Sequence, residues 1–337
     1  MDLLTQGILG ASTAQAGAKY SDFRLATVTG FVAGMTPDLD ALIRNPNDPL
    51  LVFEYHRHFT HSIIFIPLGA LLASTLIWVI LRRAQAFKNI YGYALLGICL
   101  AGFLDALTSY GTSLLWPLSD IKIAWNLLAI VDPVFSLLLL IPLVIGLKRK
   151  SNLYSRTGLG LAAIYIMVAL VQSQRAYDVA SELMAQRDHP VEERVIKPTM
   201  GNIVLWKSVY VSQGEIHADA IRVGLTGGNK VYPGETLPLL DLESENPFPA
   251  NSQASQDLHR FSKVSNHWLG VHPERPEMIG DVRYSMLPFS SEPLWGVHIR
   301  DVEPEHHLNV ITNRRFNPSM RQDFINMLLG RDLAPAY

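Results

Sequence analysis

A single cysteine in 337 residues, Cys99, leaves no disulfide framework and no thiolate metal site. It lies inside an apolar run, so cysteine usage does not point to a redox compartment. Charge is scarce too: 17% of residues are charged, with 28 Lys and Arg against 30 Asp and Glu, for a net charge of −2. That balance carries no footprint for nucleic acid. The start, "MDLLTQGILGAS", lacks the basic n-region of a cleavable signal peptide, so none is expected there. No P-loop, dinucleotide fingerprint or nucleophile elbow occurs in the chain.

Apolar runs are plentiful, but only in one half. Mean hydropathy is +0.17, an average over two unlike parts. Residues 1–174 hold almost every long apolar stretch, and residues 175–337 read as a water-soluble protein. A membrane span needs roughly 20 predominantly apolar residues. Residues 63–81 and 157–174 are uncharged, 89–104 are uncharged up to Asp105, and 127–147 are interrupted only by Asp132. Two shorter runs, 3–18 and 25–36, are rich in Gly, Ala and Thr, as suits helices packed closely inside a bundle. The expected fold class is mixed: a helical integral membrane domain of about six membrane-embedded helices over 1–174, then a small α+β extracytoplasmic domain over 175–337. In the second part, "NIVLWKSVYVSQGEIHADAIRVG" predicts two strands turning at Gln213-Gly214. Residues 281–300 suggest another strand pair, and "PSMRQDFINMLLG" a helix closed by Gly330.

Basic residues set the orientation. Lys19, Arg24, Arg82, Arg83, Lys88, Lys148, Arg149, Lys150 and Arg156 fall in three alternate loops, whereas the opposite loops hold only Arg44, Arg57 and Lys122. The first set belongs in the cytoplasm, which puts both termini and the second domain outside. A multi-pass protein of a bacterial inner membrane is the expectation.

With that topology, four distant stretches deliver polar side chains to one membrane face. "TPDLDAL" brings Asp38 and Asp40, "HRHFTHS" brings His56, His58 and His61, "GFLDALTSYG" brings Asp105, and "IVDPVF" brings Asp132. Each has a plain structural alternative. Asp132-Pro133 suits a helix start, Asp38 and Asp40 suit a turn, and a histidine beside a span is often interfacial. Asp105, inside an apolar run, is harder to explain that way, because carboxylates within a membrane are costly and point to function. Imidazoles and carboxylates gathered together suit a divalent metal, Zn²⁺ best, with Mn²⁺, Fe²⁺ or Mg²⁺ as other candidates. The seven histidines from His217 to His307 in the second domain show no paired ligand spacing and are read as surface or core residues.

"TPDLDAL", "HRHFTHS", "GFLDALTSYGTSLLWPLS" and "DPVF", in that order, resemble the YdjM-type membrane-bound, metal-dependent hydrolases, a LexA-linked inner-membrane family. The likeness covers about residues 1–150. It implies an inner-membrane divalent-metal hydrolase, with phospholipase-like activity suggested for the family. Carried over position by position, it implies Asp38, Asp40, His56, His61, Asp105 and Asp132 as metal-site residues. Where the family commonly begins with a Thr-His pair, this chain has Thr5-Gln6. An amide is a poor metal ligand, so Gln6 is expected to bond a ligand or water. Asp38 and Asp105 are the candidate catalytic carboxylates. Arg57 is the candidate for an anionic substrate group, since a guanidinium forms paired bonds to phosphate. His58, Thr108 and Ser109 are candidates for support around the site.

A site at headgroup depth favours membrane lipid, or a lipid-linked or phosphorylated compound, as substrate. A transporter or a non-catalytic metal-binding membrane protein is the alternative. Transporters place polar groups near the midplane and commonly show internal repeats, and neither feature is visible here. The second domain is expected to cover or select substrate, and a chain ending near residue 175 to keep its metal.

Overall fold

The computed structural model describes residues 1–82 and 85–333. Arg83, counted above among the cytoplasmic residues, lies outside them. The chain divides into two compact units. The first comprises Met1–Ile43, Tyr55–Val171 and Met200–Asn202. The second comprises Arg44–Glu54, Gln172–Thr199 and the chain from Ile203 onward.

The first unit is helical. Its elements are α1 (Leu3–Ala16), α2 (Phe23–Met35), the last residue of the short α3 (Leu51–Tyr55), α4 (Ile66–Ile80), α5 (Phe87–Ile98), α6 (Ala101–Ala106), α7 (Pro133–Arg149) and the first part of α8 (Asn152–Gln186). Among the described residues, three helical stretches are long and apolar enough to cross a membrane: Ile63–Ile80, Phe87–Ala106 and Asn152–Gln186. Both short glycine-rich runs are helices, and their small residues let the backbones touch. A Cβ on Gly10 would stand 2.3 Å from the Gly30 carbonyl oxygen, and one on Gly30 equally close to that of Gly10. Close approach of this kind is what replaces the hydrophobic effect between helices in lipid.

Two runs differ from their apolar pattern. The stretch 89–104 breaks after Ile98 into α5 and α6. The stretch 127–147 becomes helical only at Pro133, because the Asp132 carboxylate accepts from the Phe135 amide at 3.1 Å and proline follows in the first turn. Apolar periodicity does not register either stop.

The second unit is built on two antiparallel sheets. In the first, β1 (Glu193–Pro198), β2 (Leu205–Ser212), β3 (Glu215–Arg222) and β4 (Lys230–Tyr232) lie in that order, with β5 (Thr236–Pro238) also pairing β3. After the short α9 (Leu242–Glu245) and α10 (Gln253–Val264), the second sheet runs β6 (Leu269–His272), β7 (Arg275–Asp281), β8 (Trp295–His298), β9 (Val310–Thr312). Helix α11 (Pro318–Leu329) closes the unit at Gly330, whose φ of 75° ends a helix at little strain.

The β2–β3 hairpin turns at Gln213 and Gly214, both at positive φ, as a two-residue hairpin requires. The strand pair expected in 281–300 is only half present. β8 pairs β7, while 282–294, with Pro288 and Pro293, lacks regular structure, since proline cannot donate to a ladder. Leu50 is buried with Leu258, Phe261, Ile279 and Val297, and Phe53 stacks on Trp295 at 4.8 Å. Arg260 holds the same segment through Glu54 at 2.7 Å and Asp48 at 2.9 Å.

Candidate metal centre

Asp38 and Asp40 sit in the tight turn Pro37–Leu42 that follows α2. Pro37 cannot continue the α-helical hydrogen bonding of α2, so the chain tightens and turns there. His61 ends the turn Phe59–His61, and Asp105 lies near the end of α6. The last two are brought together by Gly102: a Cβ there would stand 2.3 Å from the His61 carbonyl oxygen, so only glycine lets the turn lie on α6.

Three side chains converge. Asp38, His61 and Asp105 each offer a ligand atom, all within 4.8 Å of one another. His61 Nε2 is 2.9 Å from Asp105 Oδ2 and 3.5 Å from Asp38 Oδ1. Yet His61 Nε2, Asp105 Oδ2 and Asp38 Oδ2 are buried without an aligned hydrogen-bond partner. Buried polar atoms are rarely left so. Two carboxylates and one imidazole this close together are a donor set that fits a divalent cation.

Asp40 supports this group from behind. Its Oδ2 is 3.2 Å from His61 Nδ1 and accepts from the Thr60 hydroxyl at 2.9 Å and the Arg57 amide at 2.7 Å. A carboxylate on Nδ1 fixes the ring and turns Nε2 towards a metal position. Burial alone would raise the Asp40 carboxyl, but hydrogen bonds from His56 and His61 hold it well below the usual range. For His61, burial lowers the basicity while Asp105, Asp38 and Asp40 raise it, to about 10. Without a cation, a proton on the ring balances the carboxylates.

The other predicted residues take different places. His56 Nδ1 meets Asp40 Oδ1 at 3.1 Å and the ring stays part exposed, outside the three-residue group. Arg57 is 3% exposed, with Nη2 3.1 Å from Asp105 Oδ1 and Nη1 donating to Thr108 Oγ1 at 2.7 Å. It therefore neutralises Asp105, and Thr108 holds it there. The Met1 amino group also meets Asp105 Oδ1. Ser109 is half-buried in the turn beyond. His58 packs among Tyr55, Phe59 and Trp116.

Gln6 is buried and donates to the Ala101 carbonyl at 3.2 Å, while its Oε1 has no partner. Asp132 is fully buried as the cap of α7 and accepts from the Tyr165 hydroxyl at 2.8 Å. Thr60 is absent from the set the sequence suggests. Its one signal there is its place beside His61.

Membrane-length apolar helices bearing a buried carboxylate–imidazole cluster define an integral membrane protein with a site able to hold a metal ion. The chain belongs to the YdjM inner membrane protein family, whose model matches residues 1–176. It is 25% identical over 194 residues to the uncharacterized protein YfhP of Bacillus subtilis (strain 168). That match covers 57% of this chain and 56% of the relative, so the chain spans little more than half of the protein it resembles. No solved structure matches.

Proposed function

We propose that this protein is a membrane-embedded, metal-dependent hydrolase that acts at the outer leaflet on a phospholipid or a lipid-linked phosphate ester. The observation that carries the reading is the mostly buried group Asp38, His61 and Asp105, whose ligand atoms all lie within 4.8 Å of one another. A divalent cation there would supply Lewis acidity toward a phosphoryl or acyl oxygen. The chain's own residues do the rest. His61 and Asp105 hold the cation, and Asp40 and Thr60 orient His61. Asp38, at the rim with its side chain 12% exposed, accepts a proton from the attacking water as general base.

The nine basic residues of the alternate loops support six membrane-embedded helices with the site and the second unit outside. The test is release of phosphate or headgroup from a panel of phospholipid and lipid-linked phosphate vesicles by detergent-purified protein. Zn²⁺ or Mn²⁺ should restore turnover after chelation, and Asp38→Asn should abolish it.

The second reading is a metal-binding membrane protein without catalysis. It is favoured by one observation: Arg57, the guanidinium closest to the group, is committed to Asp105 and Thr108. Stoichiometric metal with no release from any member of the panel would select it.

A further inference from the structure

The β-sheet unit buries two lysines. Lys197 on β1 and Lys207 on β2 are directly paired in the antiparallel ladder, so they stand on one face of the sheet. They are 7% and 3% exposed. Two ammonium groups side by side in a dry interior repel each other and lose hydration, which favours a neutral amine on at least one. Their partners differ. Lys197 Nζ lies 3.4 Å from the centre of the Tyr284 ring, and burial, with Lys207 beside it, holds its amine well below the usual lysine range. Lys207 Nζ lies 2.6 Å from Ser285 Oγ and 2.6 Å from the Ser290 carbonyl oxygen.

Ser285 is only half-buried. The amine behind it is buried. Lys207 Nζ donates to Ser285 Oγ and to the Ser290 carbonyl, while the Ser285 hydroxyl donates to the Leu287 carbonyl at 2.6 Å. When Nζ loses a proton and keeps its N–H to the Ser290 carbonyl, its lone pair lies within hydrogen-bond reach of Ser285 Oγ. A serine with a base within hydrogen-bond reach, the base oriented by a third group, is the arrangement of an activated nucleophile, and lysine serves as that base in Ser-Lys variants.

We propose that Ser285 and Lys207 form a nucleophile–base pair, a second hydrolytic site in the β-sheet unit, which cleaves a carboxylic ester. Ser285 Oγ bonds to the carbonyl carbon as its proton passes to Lys207 Nζ. The bond from that carbon to the alcohol oxygen breaks, and the leaving alcohol takes the proton from Nζ. Water then attacks the acyl-serine, giving a proton to Nζ. The carbon–Oγ bond breaks, Ser285 recovers the proton, and a carboxylic acid leaves. No electrons are exchanged with an outside partner.

The charged groups facing Lys207 come from each neighbouring element: Lys197 on β1, Asp219 on β3, Glu235 before β5, and Asp281, which is bound by Arg283, at the end of β7. Burial lowers the Lys207 amine to about 7 against the opposing pull of Glu235, Asp281 and Asp219.

The test is reaction of the full-length protein in detergent with a fluorophosphonate probe, with the adduct located by peptide mass spectrometry. The adduct should form on Ser285, vanish in Ser285→Ala and survive chelation of metals. It should slow by roughly a hundredfold in Lys207→Met, the usual contribution of a general base. In wild-type protein its rate should climb with pH through neutrality, a readout that stands even if Lys207→Met does not fold. No Ser285 adduct on folded protein, a rate indifferent to both Lys207 and pH, or loss of the adduct on chelation would overturn the proposal.

Discussion

Asp40 illustrates how a side chain outside the metal-ligand group can govern it. It touches His61 Nδ1, His56, Thr60 and the Arg57 amide. Asp40→Asn keeps the shape and removes the charge that fixes the ring. Metal affinity should fall roughly 10- to 100-fold, the usual cost of such a loss, in a competition titration against a chelator. An unchanged affinity would mean that Nδ1 is oriented by Thr60 alone. Asp132 should behave otherwise. As the cap of α7, its replacement by Ala should cost about 1 kcal/mol of stability and leave bound metal intact.

Lys207 supplies a pH test of the same kind. Its amine titrates near 7 when folded and about 10.4 when unfolded. Between those values the unfolded chain binds the extra proton, so stability rises with pH. The limiting slope is about 1.4 kcal/mol per pH unit for this one group. Below 7 both states are protonated and its contribution to the slope vanishes. Denaturant unfolding of wild type and Lys207→Met should differ by that slope between pH 7 and 10.

Among the elements, the contact of α6 with the Phe59–His61 turn decides the site. Gly102→Ala would drive a methyl into the His61 carbonyl oxygen, separating His61 from Asp105. Bound metal should drop while membrane insertion persists. Unchanged metal content would show that the turn can shift without moving the imidazole.

The residues of this contact were legible in the sequence one by one. Asp105 stands out as a carboxylate in an apolar run, and His61 lies in a histidine cluster. Gly102 was not legible, since a glycine among apolar residues signals nothing until its neighbour is known. The β2–β3 hairpin was plain from its alternation and its Gln-Gly turn. The gap between β7 and β8 was not, because the residues of 281–300 are apolar enough for strands while two prolines remove ladder donors. Asp132 is seen as the cap of α7, and the sequence alone does not separate capping from ligation, since both use the same carboxylate. Lys207 and Ser285 are 78 positions apart, beyond the reach of any local motif.

Across the whole molecule, the segment between the two site motifs follows its own core. Arg44–Glu54 lies between Asp40 and His56 in sequence, yet Leu50 and Phe53 pack within the β-sheet unit. A simple division of the chain at residue 175 misses this, because a short loop carries no mark of the partner it will find. A chain ending near residue 175 would leave Leu50 without its apolar neighbours, so its metal affinity should fall below that of the full chain even though every ligand remains. Full affinity would show that the segment needs no such anchor. Reporter fusions after Lys150 and after Asp188 should read cytoplasmic and external respectively. The same reading from both would remove the orientation that the basic residues support.

The most direct measurement is elemental analysis of detergent-purified protein alongside His61→Ala and Asp105→Asn. Wild type should carry stoichiometric divalent metal. Each variant should lose most of it while remaining inserted and folded by circular dichroism. Full metal content in both variants would contradict a centre built from Asp38, His61 and Asp105.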